Sequence, residues 1–257
     1  MHPILFEIGD WPVYSYGVLL AAAYLAALQL AVVRARRLGI DGTKIMDLGI
    51  YLIIAALVGA KLMLIAIDFR YFVNQPREIL SLVRAGGVFY GGLIAALAVA
   101  IWLVRRYDLR LWTTADLFAP GIALGHVIGR FGCLLAGCCY GRPTSVPWAI
   151  TFTNPAAAAN VGTPLGVPLH PTQLYDAGAE LLILIALLLT ERRGRPFAGR
   201  TFWLYVLLYG ISRFIIEFYR GDDRGVILGV STSQFVSLIA VPVAIAMLIR
   251  LRSRAAA

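Results

Sequence analysis

Charged residues are scarce in this sequence. Only 14% of its 257 residues are Asp, Glu, Lys or Arg, and 60% are hydrophobic, whereas a soluble domain carries roughly 25% charged residues. Apolar stretches close to the ~20 residues that cross a bilayer recur from end to end, and the longest polar gap is residues 141–170. The composition therefore excludes a substantial soluble domain between the spans.

The amino terminus lacks basic residues. Residues 1–12 include Glu7 and Asp10 but no Lys or Arg, whereas a cleavable signal peptide begins with a basic segment. We therefore expect the first helix to remain in the mature protein.

The hydrophobic runs predict an all-α polytopic membrane protein with about seven transmembrane helices. These spans lie at roughly 14–33, 46–67, 88–104, 113–138, 171–190, 200–219 and 233–250. No internal repeat or low-complexity linker divides the chain. We predict a single transmembrane domain over residues 1–257, with an outer segment around 141–170.

Basic residues are distributed unevenly between the two sets of predicted loops. One set holds 14: Arg34, Arg36, Arg37, Lys44, Arg105, Arg106, Arg110, Arg192, Arg193, Arg195, Arg200, Arg250, Arg252 and Arg254. The other holds 6: Arg70, Arg77, Arg84, Arg142, Arg220 and Arg224. Because cytoplasmic loops are enriched in Lys and Arg, we predict a bacterial inner-membrane protein whose amino terminus lies outside and whose carboxyl terminus lies in the cytoplasm.

The net charge of +9 does not indicate a nucleic-acid partner. The basic residues flank the spans instead of forming a surface stripe. Topology and contact with anionic membrane lipids account for them.

Ionisable residues inside a bilayer are costly and mark functional sites. Six polar residues fall in the outer halves of predicted spans, and we expect them to line one cavity open to the outer leaflet: Tyr16, Lys61, Tyr90, Arg130, Arg213 and Glu217.

On the sixth span one helix face carries Tyr209, Arg213, Glu217 and Arg220. A purely structural Arg213–Glu217 pair is the alternative. Arg130 has no acidic residue one turn away, so we interpret it as a second, unpaired guanidinium suited to binding a phosphate.

Cysteine and glycine both cluster on the fourth span. Cys133, Cys138 and Cys139 are the only cysteines. Their spacing is not CxxC and His126 lies two turns away, so we predict neither a metal nor a cofactor. A disulfide from Cys133, simple burial of small apolar residues and a nucleophilic cysteine remain open. Close helix packing is predicted at small residues, namely Gly121, Gly125, Gly129 and Gly132 and the pairs Gly86-Gly87 and Gly91-Gly92.

Several separated motifs resemble those of the prolipoprotein diacylglyceryl transferase family. GRFGCLLAGCCYGR at 129–142 is similar to the glycine-rich signature of that family, and HPTQLYD at 170–176 to its HPSQLYE-type motif. YGISRFIIEFYR at 209–220 matches the family stretch YGxxRFxxEFxR, and Tyr16-Gly17 also fits. The resemblance extends along nearly the whole chain.

The resemblance implies an enzyme that transfers the diacylglyceryl group of phosphatidylglycerol to the lipobox cysteine of a prolipoprotein signal peptide, which forms a thioether and releases glycerol phosphate. The residues it implies as catalytic are Arg130, Arg213, Glu217 and Tyr90. Those implied to bind substrate are Tyr16, Lys61, Gly141, His170, Gln173, Tyr175, Tyr209 and Arg220.

The sequence departs from the usual family pattern at a few positions. Tyr90 stands in place of a His, Cys133 and Cys138 in place of Asn and Glu, and Lys61 in place of an Arg. These changes leave the arginine pair intact but affect proton acceptance and acceptor recognition. Two alternatives therefore stay open: a phosphatidylglycerol-using transferase with another acceptor, and a non-enzymatic lipid-binding or anion-transport protein.

Overall fold

The computed structural model describes residues 1–9, 11–78, 87–192, 194, 196–223 and 225–256. Some residues used in the sequence predictions lie outside these ranges: Asp10, Arg84, Gly86, Arg193, Arg195 and Arg224.

The described residues are mainly helical, which confirms the predicted all-α membrane fold. The helices are α1 (Ser15–Arg37), α2 (Gly42–Ile67), α3 (Phe69–Asn74), α4 (Phe89–Arg106), α5 (Leu111–Ala136), α6 (Pro155–Val161), α7 (Thr172–Arg192), α8 (Arg200–Ile216) and α9 (Thr232–Ala256). All helices except α3 and α6 coincide with predicted spans.

Six of the helices in the described part of the chain are long and apolar enough to cross a membrane. They are α1, α2, α5, α7, α9 and α8, the last continued by a 3-10 turn to Tyr219. Helix α4 has 18 residues and ends at Arg105 and Arg106. Its role as a seventh span stays a prediction, as does the orientation of the chain.

Three short two-stranded sheets, which the hydrophobic pattern did not predict, accompany the helices in the described ranges. Strand β1 (Ile4–Ile8) pairs with β2 (Trp11–Tyr14), β3 (Ile150–Thr151) with β4 (Pro168–Leu169), and β5 (Val226–Ile227) with β6 (Val230–Ser231), all antiparallel. The predicted outer segment therefore has its own structure: β3, then α6, capped by the Asn154 side chain, then β4.

The helices group into two compact units. One comprises residues 32–114, and the other residues 1–31 and 115–257. The single domain over 1–257 stays a prediction.

Glycine allows α2 and α4 to pack tightly within the unit of residues 32–114. A Cβ placed on Gly91 would lie 2.5 Å from the Gly59 carbonyl oxygen, and one on Gly92 would lie 2.7 Å from that of Ala56. Because a methyl group cannot fit at these distances, any other residue would push the helices apart. The predicted close approach at the Gly91-Gly92 pair is confirmed.

Helix α5 packs on α1 in the other unit through the predicted glycines. A Cβ on Gly121 would lie 2.5 Å from the Ala27 carbonyl oxygen, and one on Gly132 would lie 3.3 Å from Leu19 Cβ. Gly125 also faces α1, whereas a Cβ on Gly129 would meet nothing within 4 Å. Close packing is thus confirmed at all of these positions except Gly129.

Behind this contact lies a buried core formed by α5, α7 and α8. Its fully packed members are Ala119, Ala123, Ile183, Leu184, Leu187 and Tyr205. The core holds α5, α7 and α8 together. The polar residues of the site lie at the carboxyl-terminal ends of α5 and α8 and at the amino-terminal end of α7.

Candidate active site

Backbone hydrogen bonds join the segments that leave α5, enter α7 and leave α8. The Gly141 amide donates to the His170 carbonyl oxygen at 3.1 Å, the Arg142 amide to Tyr219 at 2.9 Å, and the Gly221 amide to Tyr140 at 3.1 Å. A Cβ on Gly141 would lie 2.5 Å from the His170 carbonyl oxygen. Only glycine fits at that point, so the predicted close backbone approach at Gly141 is present.

Three guanidinium groups surround the carboxylate of Asp176, in the second turn of α7. Arg130 Nε lies 3.2 Å from Asp176 Oδ2, Arg220 Nη1 lies 3.6 Å from the same oxygen, and Arg213 Nη1 lies 3.8 Å from Oδ1. We call these three arginines and Asp176 the arginine cluster. Its members come from α5, α7, α8 and the segment after α8, so the fold assembles it from distant parts of the sequence.

Two further carboxylates complete the charge balance. Glu217 lies 2.6 Å from Arg213 Nη2, which also donates to Ser233 Oγ at 3.0 Å. Asp222 accepts from Arg220 Nε at 2.8 Å and from its Nη2 at 2.7 Å. Burial lowers the pKa of Arg220, but the hydrogen bonds to Asp222 and Cys139 and the charges of these two side chains together outweigh it and keep that pKa above its usual value. Three cations thus face three anions, which is how buried charge is tolerated.

The prediction that Arg130 is unpaired is wrong. Its partner is Asp176, which comes from another helix and cannot be found from spacing along α5. Arg130 nevertheless differs from the other two arginines. Its side chain is 18% exposed, against 6% for Arg213 and 2% for Arg220, and among the described residues it contacts a carboxylate through Nε alone. Arg130 is therefore the guanidinium of the cluster most accessible to an incoming anion.

The start of α7 holds the turn that follows α5. Thr172 Oγ1 donates to the Cys139 carbonyl oxygen at 2.8 Å, and Gln173 Nε2 donates to that of Cys138 at 2.7 Å. Both side chains are fully buried. The donor group of Gln173, a predicted substrate-binding residue, is thus occupied by the protein backbone.

Predicted substrate-binding residues His170 and Tyr175 form an aromatic group with Tyr219. The ring centroid of His170 lies 6.0 Å from that of Tyr175 and 5.2 Å from that of Tyr219. His170 Nδ1 lies 3.1 Å from the Tyr175 hydroxyl, which also accepts from Trp148 Nε1 at 2.8 Å. These rings stand beside the backbone junction at Gly141.

The remaining predicted tyrosines of this unit lie on α1 and α8. Tyr16 is the second residue of α1 and lies next to Gly132, two residues after Arg130. Tyr209 stacks on Tyr205 at 5.8 Å, one turn before Arg213.

Lys61 and Tyr90 belong to the other unit, of residues 32–114. Lys61 lies on α2 and is partly buried, and Tyr90 lies in the first turn of α4, 46% exposed. Their functional roles stay predictions.

A cavity of about 320 Å³ opens beside the cluster. One wall is formed by Arg142, Glu217, Arg220 and Asp222, and the other by the β5–β6 hairpin together with Gln234 of α9. The cavity therefore combines a charged wall with a partly apolar one.

The three cysteines converge at the carboxyl-terminal end of α5. Their Sγ atoms all lie within 4.8 Å of one another; Cys133 is buried, Cys138 and Cys139 are partly buried, and no disulfide joins them. Hydrogen bonds from Cys133 and Cys138, together with the nearby charge of Arg220, lower the pKa of the Cys139 thiol. We call Cys133, Cys138 and Cys139 the thiol cluster.

Sequence reasoning missed Asp176, Asp222 and Ser233. Asp176 alone carried a usable signal, because it is an ionisable residue inside a predicted span.

The chain is similar to a known protein family along nearly its whole length. Residues 3–250 match the family described as prolipoprotein diacylglyceryl transferase. A phosphatidylglycerol–prolipoprotein diacylglyceryl transferase of Clostridium tetani is 38% identical over 95% of this chain and 96% of its own length. A protein of the same name from Dehalococcoides mccartyi is 35% identical over 98% of this chain and 95% of its own.

Proposed function

Because the chain belongs to the prolipoprotein diacylglyceryl transferase family, we propose that it transfers the diacylglyceryl group of phosphatidylglycerol to the lipobox cysteine thiol of prolipoproteins. The products are a thioether-linked lipid and glycerol phosphate. The observation that carries the proposal is the arginine cluster, a group of three guanidiniums near the end of membrane-crossing helices.

The reaction requires charge stabilisation at the phosphate. The acceptor sulfur attacks the glyceryl carbon that bears the phosphate oxygen, so a C–S bond forms while the C–O bond breaks. The electron pair of the broken bond leaves with glycerol phosphate, and the proton of the acceptor thiol passes to solvent. Negative charge grows on the departing phosphate, and fixed cationic donors stabilise that charge more in the transition state than in the ground state.

Arg130 and Arg213 are proposed to bind this phosphate as a clamp. Arg130 offers the terminal nitrogens that Asp176 does not engage, and Arg213 faces the same carboxylate from α8. Glu217 orients Arg213, and Asp176 keeps all three guanidiniums at fixed separations. Arg has the planar set of donors that binds a phosphate with two parallel hydrogen bonds.

Together with Glu217 and Asp222, the arginine cluster is electrically balanced without substrate. An arriving phosphodiester adds one negative charge to three cations that already face three carboxylates. Binding therefore favours the nitrogens that carboxylates hold least closely, which are the terminal nitrogens of Arg130 and Nη1 of Arg213, 3.8 Å from Asp176. Arg220, with Nε and Nη2 on Asp222 and Nη1 toward Asp176, is assigned a role in building the wall of the cavity.

The other predicted residues are proposed to position the substrates. Tyr209, one turn before Arg213, and Tyr16, beside Gly132, are proposed to donate hydrogen bonds to the headgroup, as are His170 and Tyr175 at the aromatic group. Gln173 and Gly141 act on the backbone that carries these side chains. Lys61 is proposed to contact the headgroup. Tyr90 is proposed to act as a hydrogen-bond donor through its phenol hydroxyl.

We also propose that the protein lies in the bacterial cytoplasmic membrane with the arginine cluster toward the outside. The distribution of basic residues supports this orientation. The lipobox of an exported prolipoprotein would then reach the cluster from the side on which it emerges.

The direct test uses purified protein, phosphatidylglycerol and a lipobox peptide. We expect a peptide whose mass increases by one diacylglyceryl group, and no such product from a control peptide whose lipobox Cys is replaced by Ser. If folded protein that binds phosphatidylglycerol modifies no lipobox peptide, the acceptor assignment is wrong. Lipid labelling of the whole proteome would then show whether another acceptor is used.

A further inference from the structure

The thiol cluster takes no part in the proposed reaction, because the attacking thiol belongs to the acceptor. Three sulfurs nevertheless meet within 4.8 Å at one point of the outer region. Chance burial of small residues does not require such mutual convergence. The cluster is therefore a candidate for a separate chemical role.

The surrounding structure holds the three sulfurs together. Thr172 and Gln173 fix the carbonyl groups of Cys139 and Cys138 from behind. Cys139 adopts a left-handed backbone conformation, φ 61°, which is uncommon for a residue other than glycine. The turn is thus held in a shape that a free chain would seldom adopt, and within it the sulfurs of Cys138 and Cys139 lie close to that of Cys133.

We propose that Cys133, Cys138 and Cys139 form a three-thiolate site for one thiophilic metal ion of the d¹⁰ class, Zn²⁺ or Cu⁺. Thiolate ligands select these ions. Binding is a ligand exchange without a redox step: three thiols and one ion give the metal trithiolate and three protons. The three sulfurs come together in space without a CxxC pair and without a histidine, the two features on which the sequence prediction relied.

The distances suit such an ion after a small adjustment. A Zn–S bond is about 2.3 Å, which places thiolates of one ion about 3.8 Å apart. The sulfurs, at no more than 4.8 Å, need to approach by only about 1 Å. A metal trithiolate carries a net negative charge, and the guanidinium of Arg220 beside Cys139 offsets it.

A disulfide explains the arrangement less well. It would use two sulfurs and leave the third without a role, although all three converge. A bound metal uses all three and would lock the turn between Arg130 and Gly141, whose backbone belongs to the proposed active site. The proposal itself does not depend on the transferase activity.

The test measures metal directly in the full chain. Protein purified in detergent under reducing conditions is dialysed against Zn²⁺, or against Cu⁺ in the presence of a competing chelator, and metal per chain is determined. We expect one ion per chain, and a loss of affinity of more than about tenfold for Cys133→Ser, Cys138→Ser and Cys139→Ser, by comparison with losses at known sites. His126→Gln is the matched control and should bind as the parent protein does.

A second measurement uses the parent protein alone, so its result does not depend on whether the cysteine variants fold. Bound Zn²⁺ or Cu⁺ should protect the three thiols of the parent protein from alkylation, and removal of the ion by a chelator should restore their reactivity. The proposal is overturned if metal content equals that of a variant with all three cysteines changed to Ser, if His126→Gln loses the ion as well, or if freshly isolated protein lacks two hydrogens because a disulfide has formed.

Discussion

Replacement of Arg130 by Lys should lower turnover far more than stability. Its side chain is 18% exposed and contacts one carboxylate through Nε at 3.2 Å. A lysine ammonium can keep that single ion pair, so we expect a stability loss of only about 1 kcal/mol, the net value of one hydrogen bond. It cannot present two parallel donors to a phosphate. By comparison with removal of one donor from an oxyanion site, we expect turnover to fall roughly tenfold to a hundredfold.

The Arg213→Lys variant should be compared with Arg130→Lys, because Arg213 is more buried and makes more contacts. Arg213 is 6% exposed, lies 2.6 Å from Glu217 and 3.8 Å from Asp176, and donates to Ser233. A single lysine ammonium cannot contact Glu217, Asp176 and Ser233 at once. Breaking a buried pair outright costs about 3–5 kcal/mol, and because Lys preserves part of the contact we expect about half of that. Glu217→Gln should be milder in rate, since it only loosens the orientation of Arg213.

The assay pairs thermal unfolding in detergent with initial rates of lipobox-peptide modification, expressed per folded molecule. The clamp predicts that Arg130→Lys and Arg213→Lys both lose rate, while Arg213→Lys loses more stability. A structural Arg213–Glu217 pair predicts lowered stability in Arg213→Lys and Glu217→Gln with unchanged turnover. That second pattern, or a normal rate in Arg130→Lys, would refute the clamp.

Asp176→Asn should destabilise the protein by about 3–5 kcal/mol, because three buried cations lose their shared anion; unchanged thermal unfolding would show that Asp176 is not the centre of the cluster. Gly141→Ala should abolish transfer or folding, since its methyl group would meet the His170 carbonyl at 2.5 Å, and a fully active variant would contradict the tight junction. Reporters fused after Arg106 and Arg193 should both score as cytoplasmic, and an exported score in a functional fusion would contradict the seven-span orientation. A chain whose thiol cluster is changed entirely to Ser should retain measurable transfer, and complete loss in folded protein that still binds phosphatidylglycerol would favour a covalent enzyme intermediate.

Helices were predictable here because one physical signal dominates. The bilayer demands long apolar segments, and the predicted span of 46–67, for instance, ends at the same residue as α2. Helix packing was predictable for a related reason, since glycine spacing on α5 indicates where a neighbouring backbone can approach. The β5–β6 hairpin has only two residues in each strand, too few for an alternating pattern to be recognised.

The arginine cluster shows where sequence reasoning stopped. The i, i+4 spacing of Arg213 and Glu217 predicts their contact, because both residues lie on one helix face. The contact between Arg130 and Asp176 joins helices separated by the whole outer segment, and spacing along either helix carries no information about it. The prediction for Arg130 was wrong because it considered only residues one turn away on α5, whereas its partner Asp176 lies on α7.

The ion pair between Arg130 and Asp176 also affects how the protein enters the membrane. Arg130 is made before Asp176, so α5 leaves the ribosome with a cation whose main partner lies one crossing later. An arginine at the middle of an isolated helix costs about 2.5–3.5 kcal/mol on insertion, and Arg130, six residues before the end of α5, carries a smaller part of that cost. Helix α5 should therefore remain beside the insertion machinery until α7 arrives, and the two should enter the lipid as a pair. A change at Asp176 would then appear during biosynthesis as a defect in membrane integration, before any effect on catalysis could be measured.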